Sequence, residues 1–343
     1  MRRLAPLFLM IAIGCKGDNE FGNLDGYTGW TQALNNEIDI LFVVDNSCSM
    51  QAEQAALALG FQSFIDAMDE NNDFHVGVVS TTVDYGDEES AWLLADDEGN
   101  RWIDSLTEDA ATKFSHLTAI GTGGSDKEKG LEQAANVLAA EMSVSGPNAG
   151  FVRPDSNLLV IVVSDEEDCS DLALLEGQPA EACYTRKADL APVSVFVQQL
   201  QDTKDDEEDF TFHAIVGPEQ SDCTDAYPGR RYMEAAALTG GLVGNICDGD
   251  WSDVLSDLGL NASGIETSFR LGEPAVPDTL QVFVEDVEIA ESAVNGYTYD
   301  EATCFVTFHG TEGASIPVRD AQLHAKYTKA SGSDTADCEG AAK

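Results

Sequence analysis

Apolar and polar positions fall into two textures along this chain. Ile38-Asp39-Ile40-Leu41-Phe42-Val43-Val44 is a near-continuous apolar run that stops at Asp45, and Leu158 to Val163 is another. Runs with so little alternation predict strands buried on both faces, as in a parallel sheet. Phe74 to Val79, Phe210 to Val216 and Leu242 to Ile246 predict further strands. Between them the period changes. Gln51 to Met68 carries Ala55, Leu59, Phe61, Phe64, Ile65 and Met68 at helical spacing. Helices are also predicted over 127–142, 193–200, 230–238 and 251–258, the third closed by Gly240-Gly241. Residues 84–105 read as an acidic loop with a hairpin about Gly99, and 205–209 as an acidic turn. Strands alternating with helices predict the α/β class, a doubly wound and mostly parallel sheet. After Gly264 the strand-like runs Thr279 to Val284 and Cys304 to Phe308 have no helical stretch between them. Residues 266–329 therefore predict a small all-β module, and 330–343 a polar tail.

The first residues have a different texture. Met1-Arg2-Arg3 precedes an apolar stretch from Leu4 to Gly14, the length of a signal-peptide core and too short to span a membrane. Residues 1–14 are thus expected to be an export signal. Ala12-Ile13-Gly14-Cys15 resembles a bacterial lipobox, with Ala12 where that motif usually has Leu. The resemblance implies that Cys15 becomes the lipid-modified first residue and that 15–36, polar and rich in Gly, Asn and Asp, is a tether. The alternative is an ordinary secretory signal, with Cys15 an incidental thiol. The expected location is the cell envelope, lipid-anchored at the outer membrane or cell surface, or else secreted or periplasmic.

Export changes the meaning of the 8 cysteines, since disulfides persist in oxidising compartments. Pairing sequence neighbours gives Cys169–Cys183, Cys223–Cys247 and Cys304–Cys338 and leaves Cys48 free; a Cys48–Cys169 bridge is the main competitor. An inert buried thiol or a disulfide is the expected state of Cys48. No Cys-x-x-Cys and no paired His suggests zinc. Across 343 residues, 62 Asp and Glu against 18 Lys and Arg leave a net charge of −44. That charge argues against nucleic-acid backbones and anionic headgroups as partners, so contact with a membrane is expected through the lipid anchor only. It suits cations, although adaptation to salt is the preferred reading of the acidity.

Candidate chemistry concentrates where the first buried strand ends, at Asp45-Asn46-Ser47-Cys48-Ser49. One carboxylate and two hydroxyls on a turn between strand and helix stand where ligands bind in open α/β sheets. Oxygen ligands of this kind suit a hard cation, and Ser49 could equally serve as a helix cap. The arrangement resembles the von Willebrand factor A domain and its metal-ion-dependent adhesion site, over roughly residues 37–265. The resemblance implies a second loop giving Thr or Ser and a third giving Asp. Gly121-Thr122-Gly123-Gly124-Ser125 precedes Gly130-Leu131, which puts Ser125 at the second-loop position with Thr122 as the alternative. The strand Leu158 to Val163 ends in Ser164-Asp165, followed by Glu166-Glu167-Asp168 where the family usually has Gly. More narrowly, Val44 to Met50, Val163 to Ser170, Ile215 to Pro218 and Leu258 to Gly264 are similar to a group of bacterial lipoproteins carrying this domain.

What the resemblance implies is a non-enzymatic, adhesion-type surface protein. Asp45, Ser47, Ser49, Ser125 and Asp165 would hold Mg²⁺ or Ca²⁺, and a protein ligand would present a carboxylate to it. An envelope scaffold whose metal only stabilises loops is the alternative, and a metal-dependent hydrolase a third reading. No Gly-x-Ser-x-Gly and no P-loop supports hydrolase or nucleotide chemistry. Asp96-Asp97-Glu98-Gly99-Asn100 lacks the alternate spacing of a calcium loop, and His75 and His213 read as core or rim residues.

Overall fold

The structure, a computed structural model, describes residues 26–31, 36–68, 72–141, 146–219, 226–262, 267–310, 317 and 321–330. The signal segment, Cys15, Cys223 and Cys338 lie outside the described residues.

The chain enters through β1 (Gly26–Thr31), β2 (Glu37–Val44), α1 (Gln51–Ala67) and β3 (Asp73–Ser80). It continues through β4 (Trp102–Asp104), α2 (Ala110–Thr118), α3 (Gly130–Glu141), β5 (Asn157–Ser164), α4 (Ala182–Thr185) and α5 (Val193–Gln201). Then follow β6 (Phe210–Val216), α6 (Arg230–Thr239), β7 (Val243–Asn245) and α7 (Ser252–Ala262). A six-stranded sheet has the order β4-β3-β2-β5-β6-β7, parallel throughout except for β4. Alternate residues of the apolar runs face opposite sides. Ile38, Ile40, Phe42 and Val44 pack with Phe61, Phe64, Phe114, Leu255 and Leu258 of α1, α2 and α7. Leu41 and Val43 face the other core, with Leu131, Val137, Phe196 and Tyr232 of α3, α5 and α6. Both faces are covered, which is why these strands read as nearly unbroken apolar sequence. The doubly wound α/β class expected from the sequence is the class observed.

The remaining strands are β8 (Ser268–Arg270), β9 (Gln281–Val284), β10 (Val287–Ile289), β11 (Gly296–Asp300), β12 (Phe305–His309) and β13 (Gln322–Tyr327). They form antiparallel sheets of order β1-β13-β9-β10 and β11-β12-β8, around a core that includes Phe269, Val282, Val306, Leu323 and Tyr327. One expectation is corrected here. The tether assigned to 15–36 contains β1, which pairs with β13 from Gly26↔Tyr327 to Thr31↔Gln322. Gly-Tyr-Thr-Gly-Trp-Thr has too few apolar positions to read as a strand, yet Trp30 packs on Phe269 at 5.5 Å and its indole N–H donates to the Arg270 carbonyl at 3.0 Å. The β module is therefore built from both ends of the described chain.

Three smaller differences have local causes. Residues 110–118 form α2, unforeseen because Ala-Ala-Thr-Lys-Phe-Ser-His-Leu-Thr offers only Phe114 and Leu117 as large buried apolar anchors. Gly99, at φ 87°, closes a turn in which Asp96 accepts from the amides of Glu98 and Asn100, and β4 then pairs back with β3, so no hairpin forms about it. The helix expected from 127 begins at Gly130, because residues 121–129 are drawn into the loops described next.

Candidate functional site

Strand order reverses between β2 and β5: from β2 the chain moves outward to β3, and from β5 it moves the other way to β6. The crevice at the carboxyl ends of these two strands is the expected ligand position in such a sheet. Asp45 sits there, with its amide donating to the Val163 carbonyl at 2.9 Å. Its side chain is fully buried. One carboxylate oxygen accepts from the Ser47 amide at 2.7 Å and the other from the Ser164 hydroxyl at 2.6 Å. The Ser47 and Ser49 hydroxyls lie 3.2 Å apart, Ser47 buried and Ser49 exposed. Asp165 is also buried, takes a hydrogen bond from Ser49, and has a second oxygen, Oδ1, without a partner.

The loop before α3 docks on the residue after Asp45. The Gly124 amide donates to the Asn46 carbonyl at 2.8 Å, and a Cβ at position 124 would stand 2.1 Å from the Asn46 side chain, which would have to move to admit it. Gln54 of α1 ties the loops by donating to the carbonyls of Asp45 at 3.0 Å and Gly121 at 2.8 Å. The Ser125 hydroxyl accepts from the Lys127 amide at 3.0 Å, while its own amide donates to Thr82 at 3.2 Å. Asp45, Ser47, Ser49 and Asp165 are thus brought together. Ser125 stands on the docked loop with its hydroxyl turned to Lys127, and Thr122 is exposed on that loop.

Sequence reasoning missed Glu128. It is buried beside Asp45, one oxygen accepting from the Thr81 hydroxyl, and its carboxyl is hydrogen-bonded to that of Asp45. In Asp-Lys-Glu-Lys it looks like a solvated charge. The usable signal was positional, since Thr81 directly follows β3 at the same sheet edge.

The electrostatics are one-sided. Burial raises the Asp45 carboxyl above its ordinary value against the hydrogen bonds from Ser164 and Ser47. Burial, and then the charge of Asp45, push Glu128 up to about 10. Asp165 is pushed up to about 6 by burial, with Asp45 and Glu53 adding repulsion against the Ser49 hydrogen bond. Glu166 is pushed up to about 7 by burial, then by Asp45, Asp165 and Asp126. No lysine or arginine figures among the largest influences on these four groups. Nearby cations are engaged elsewhere: Lys127 with the Leu175 carbonyl, Lys129 with Asp171 and Arg231 with Asp168.

Among the described residues no three His, Cys, Asp or Glu side chains converge as a ready chelate. The donors at this edge are instead mixed hydroxyl and carboxylate oxygens. A buried carboxylate oxygen without a partner, Asp165 Oδ1, beside hydroxyl oxygens fits a hard divalent cation in kind.

Cys48, between the two serines, is free and exposed, which corrects the expectation of a buried or bridged thiol. Cys169 bridges Cys183, as neighbour pairing predicts, and pins the excursion that follows β5. Cys247 and Cys304 are disulfide-bonded as well; their expected partners lie outside the described residues. A cavity of about 1020 Å³ lined by Asp96, Trp102, Asp109, Lys113 and His116 shares no residue with the Asp45 site.

No protein-family model matches the chain, and no curated protein matches it. Solved structures do match. The chain is similar to a von Willebrand factor type A protein from Catenulispora acidiphila, with a TM-score of 0.42 and 11% identity, over 91% of this chain and 67% of that one. It is similar to proximal thread matrix protein 1 of the mussel byssus, with a TM-score of 0.41 and 14% identity, over 71% of this chain and 51% of that one. A pilus adhesin from Streptococcus pneumoniae aligns with a TM-score of 0.35 and 11% identity, over 89% of this chain and 57% of that one. Likenesses at this level concern the course of the backbone alone.

Proposed function

We propose that the chain is an exported surface protein, anchored by a lipid on Cys15, that binds a protein partner through a divalent cation. Mg²⁺ or Ca²⁺ sits among Asp45, Ser47 and Ser49, with Asp165 beside it and Ser125 on the adjoining loop. A carboxylate from the partner completes the coordination. Neutral hydroxyls leave much of the cation's charge uncancelled, so it stays electrophilic toward an incoming acid. The observation that carries this reading is the buried oxygen cluster at the sheet's switch point, with Asp165 Oδ1 unpartnered and the nearby bases engaged elsewhere. The role is binding and not catalysis. The Cys169–Cys183 disulfide is consistent with an oxidising compartment.

Calorimetric titration of Mg²⁺ and Ca²⁺ into the purified chain and into Asp45→Ala tests the reading. Saturable binding in the wild type, lost in the variant, is expected; absence of any saturable site in the wild type sinks it. One observation favours a second reading. The Ser125 hydroxyl is turned to the Lys127 amide, as in a loop whose role is to brace its neighbours. A cation that only braces loops would leave partner capture intact in EDTA, while Asp45→Ala would lower the melting temperature.

A further inference from the structure

Beside Asp165 two tyrosines stand against each other on the surface. Tyr184 is 37% exposed and Tyr227 60% exposed, and their ring centroids are 5.5 Å apart. Single exposed aromatics need no explanation, but these two come from separate segments, Tyr184 from α4 and Tyr227 from the segment before α6, and meet at one place. Tyr184 follows Cys183, half of the Cys169–Cys183 bridge, and its hydroxyl is hydrogen-bonded to the Glu167 backbone. The Tyr227 amide donates to the Asp165 carbonyl at 2.7 Å, and Pro228 bridges Gly217 at the end of β6. The charges acting on Tyr184 are those of Glu166 and Glu167. Elsewhere in the molecule aromatic rings are covered by cations: Arg101 over Trp92, Lys129 over Tyr85, Arg270 over Phe305 and Lys326 over Phe283. Among the described residues none covers Tyr184 or Tyr227.

We propose that the Tyr184–Tyr227 pair, with Glu166, receives an arginine side chain of the protein partner, next to the partner carboxylate that meets the cation. This rests on the cation reading above and adds a second determinant to it. A guanidinium stacks on aromatic faces and pairs with a carboxylate in the same plane, which a lysine does less well. Tyrosines have only two side-chain torsions, and the Tyr184 hydroxyl is already bonded, so little freedom is lost when they serve as anchors. Charge complementarity points the same way. A chain of net charge −44 repels a purely acidic ligand, whereas a segment carrying both an acid and an arginine is not repelled.

The test uses acetylated glycine peptides containing one Glu and one Arg, separated by one, two or three glycines, beside versions with Gln or norleucine for Arg. Affinities are measured by calorimetry on the full chain with saturating Mg²⁺ or Ca²⁺. At one spacing at least, the Arg peptide is expected to bind about three- to tenfold more tightly than its Gln version, the range for a partly exposed cation–π contact. That ratio should fall to near one in Tyr184→Ala/Tyr227→Ala and persist in Tyr184→Phe/Tyr227→Phe, with cation affinity unchanged in both. Equal binding of the Arg and Gln peptides at every spacing overturns the inference. So does norleucine binding as tightly as Arg, or a preference that survives the alanine pair. If the cation titration shows no site, or the Glu requirement survives EDTA, the cation reading fails and this inference with it. If the cation and Glu requirements hold without an Arg preference, this inference alone fails.

Discussion

Asp165→Asn separates the cost of the site from its use. The Asp165 carboxyl is buried and pushed up to about 6 from its ordinary 3.8, first by burial and then by the charges of Asp45 and Glu53. A raised carboxyl costs stability above its folded value and nothing below its unfolded one. Below about pH 4 both states hold the proton. Between there and pH 6 the folded state keeps a proton that the unfolded chain releases, so stability falls as pH rises. Two units correspond to a ceiling of about 3 kcal/mol. Water entering the open crevice screens part of this, leaving about 1–2 kcal/mol. In EDTA, Asp165→Asn should therefore be more stable than the wild type by about 1–2 kcal/mol at neutral pH, with the gain fading toward pH 4. With saturating Mg²⁺ or Ca²⁺ the order should close or reverse, because a bound cation compensates the charge that the variant lacks. Urea unfolding followed by circular dichroism across this pH range, with and without cation, reads all three effects. A variant less stable than the wild type at neutral pH in EDTA, or a difference that ignores pH, refutes the reasoning.

Three further outcomes follow from single contacts. Replacing Cys169 and Cys183 with serine opens a loop of sequence separation 14 and should cost about 3 kcal/mol, read as a lower guanidinium midpoint. Arg153→Met leaves Asp39 fully buried without the guanidinium that donates to it at 2.9 Å; a loss of about 3 kcal/mol or more is expected, and a neutral result would show that Ser156 and His75 suffice. Trp30→Ala removes the contact of β1 with Phe269 and should cost about 3 kcal/mol within the β module. Amide exchange in β13 should then accelerate while β2 and β5 stay protected.

How much was legible varied with how much of each signal is local. The four central strands were readable because burial on both faces demands unbroken apolar runs, and Leu158 to Val163 allows little else. The Asp45 loop was readable because its residues lie within a single turn. β1 was not, since its strand character comes from Trp30 meeting Phe269, a residue far along the chain. α2 was not, because two large apolar residues in nine give too short a period to detect. At the site, the loop carrying Ser125 was foreseeable, but what holds it was not: its amide donates to Thr82, whose hydroxyl donates to Asn46, and sequence alone does not bring these together. Glu128 was hidden for the same reason, since only tertiary packing puts it beside Asp45.

The strongest argument for the site is a contrast within the molecule. With 18 basic residues against 62 acidic ones, positive charge is scarce, and three fully buried acids elsewhere each receive one. Asp39 has Arg153, Asp171 has Lys129 and Asp168 has Arg231, each acid fully buried and each paired. Burying a charge without a partner is among the costliest arrangements a fold can hold. At the carboxyl ends of β2 and β5 the chain nevertheless collects Asp45, Glu128, Asp165 and Glu166 with no base among their main influences. A scaffold selected for stability alone would neutralise such a cluster or replace it with apolar residues. Adaptation to salt accounts for acids on the surface, where solvent screens them, and not for acids at the switch point of the sheet. Protonation of Glu128, hydrogen-bonded to Asp45, relieves part of this repulsion, and the cation proposed above would supply positive charge for the rest.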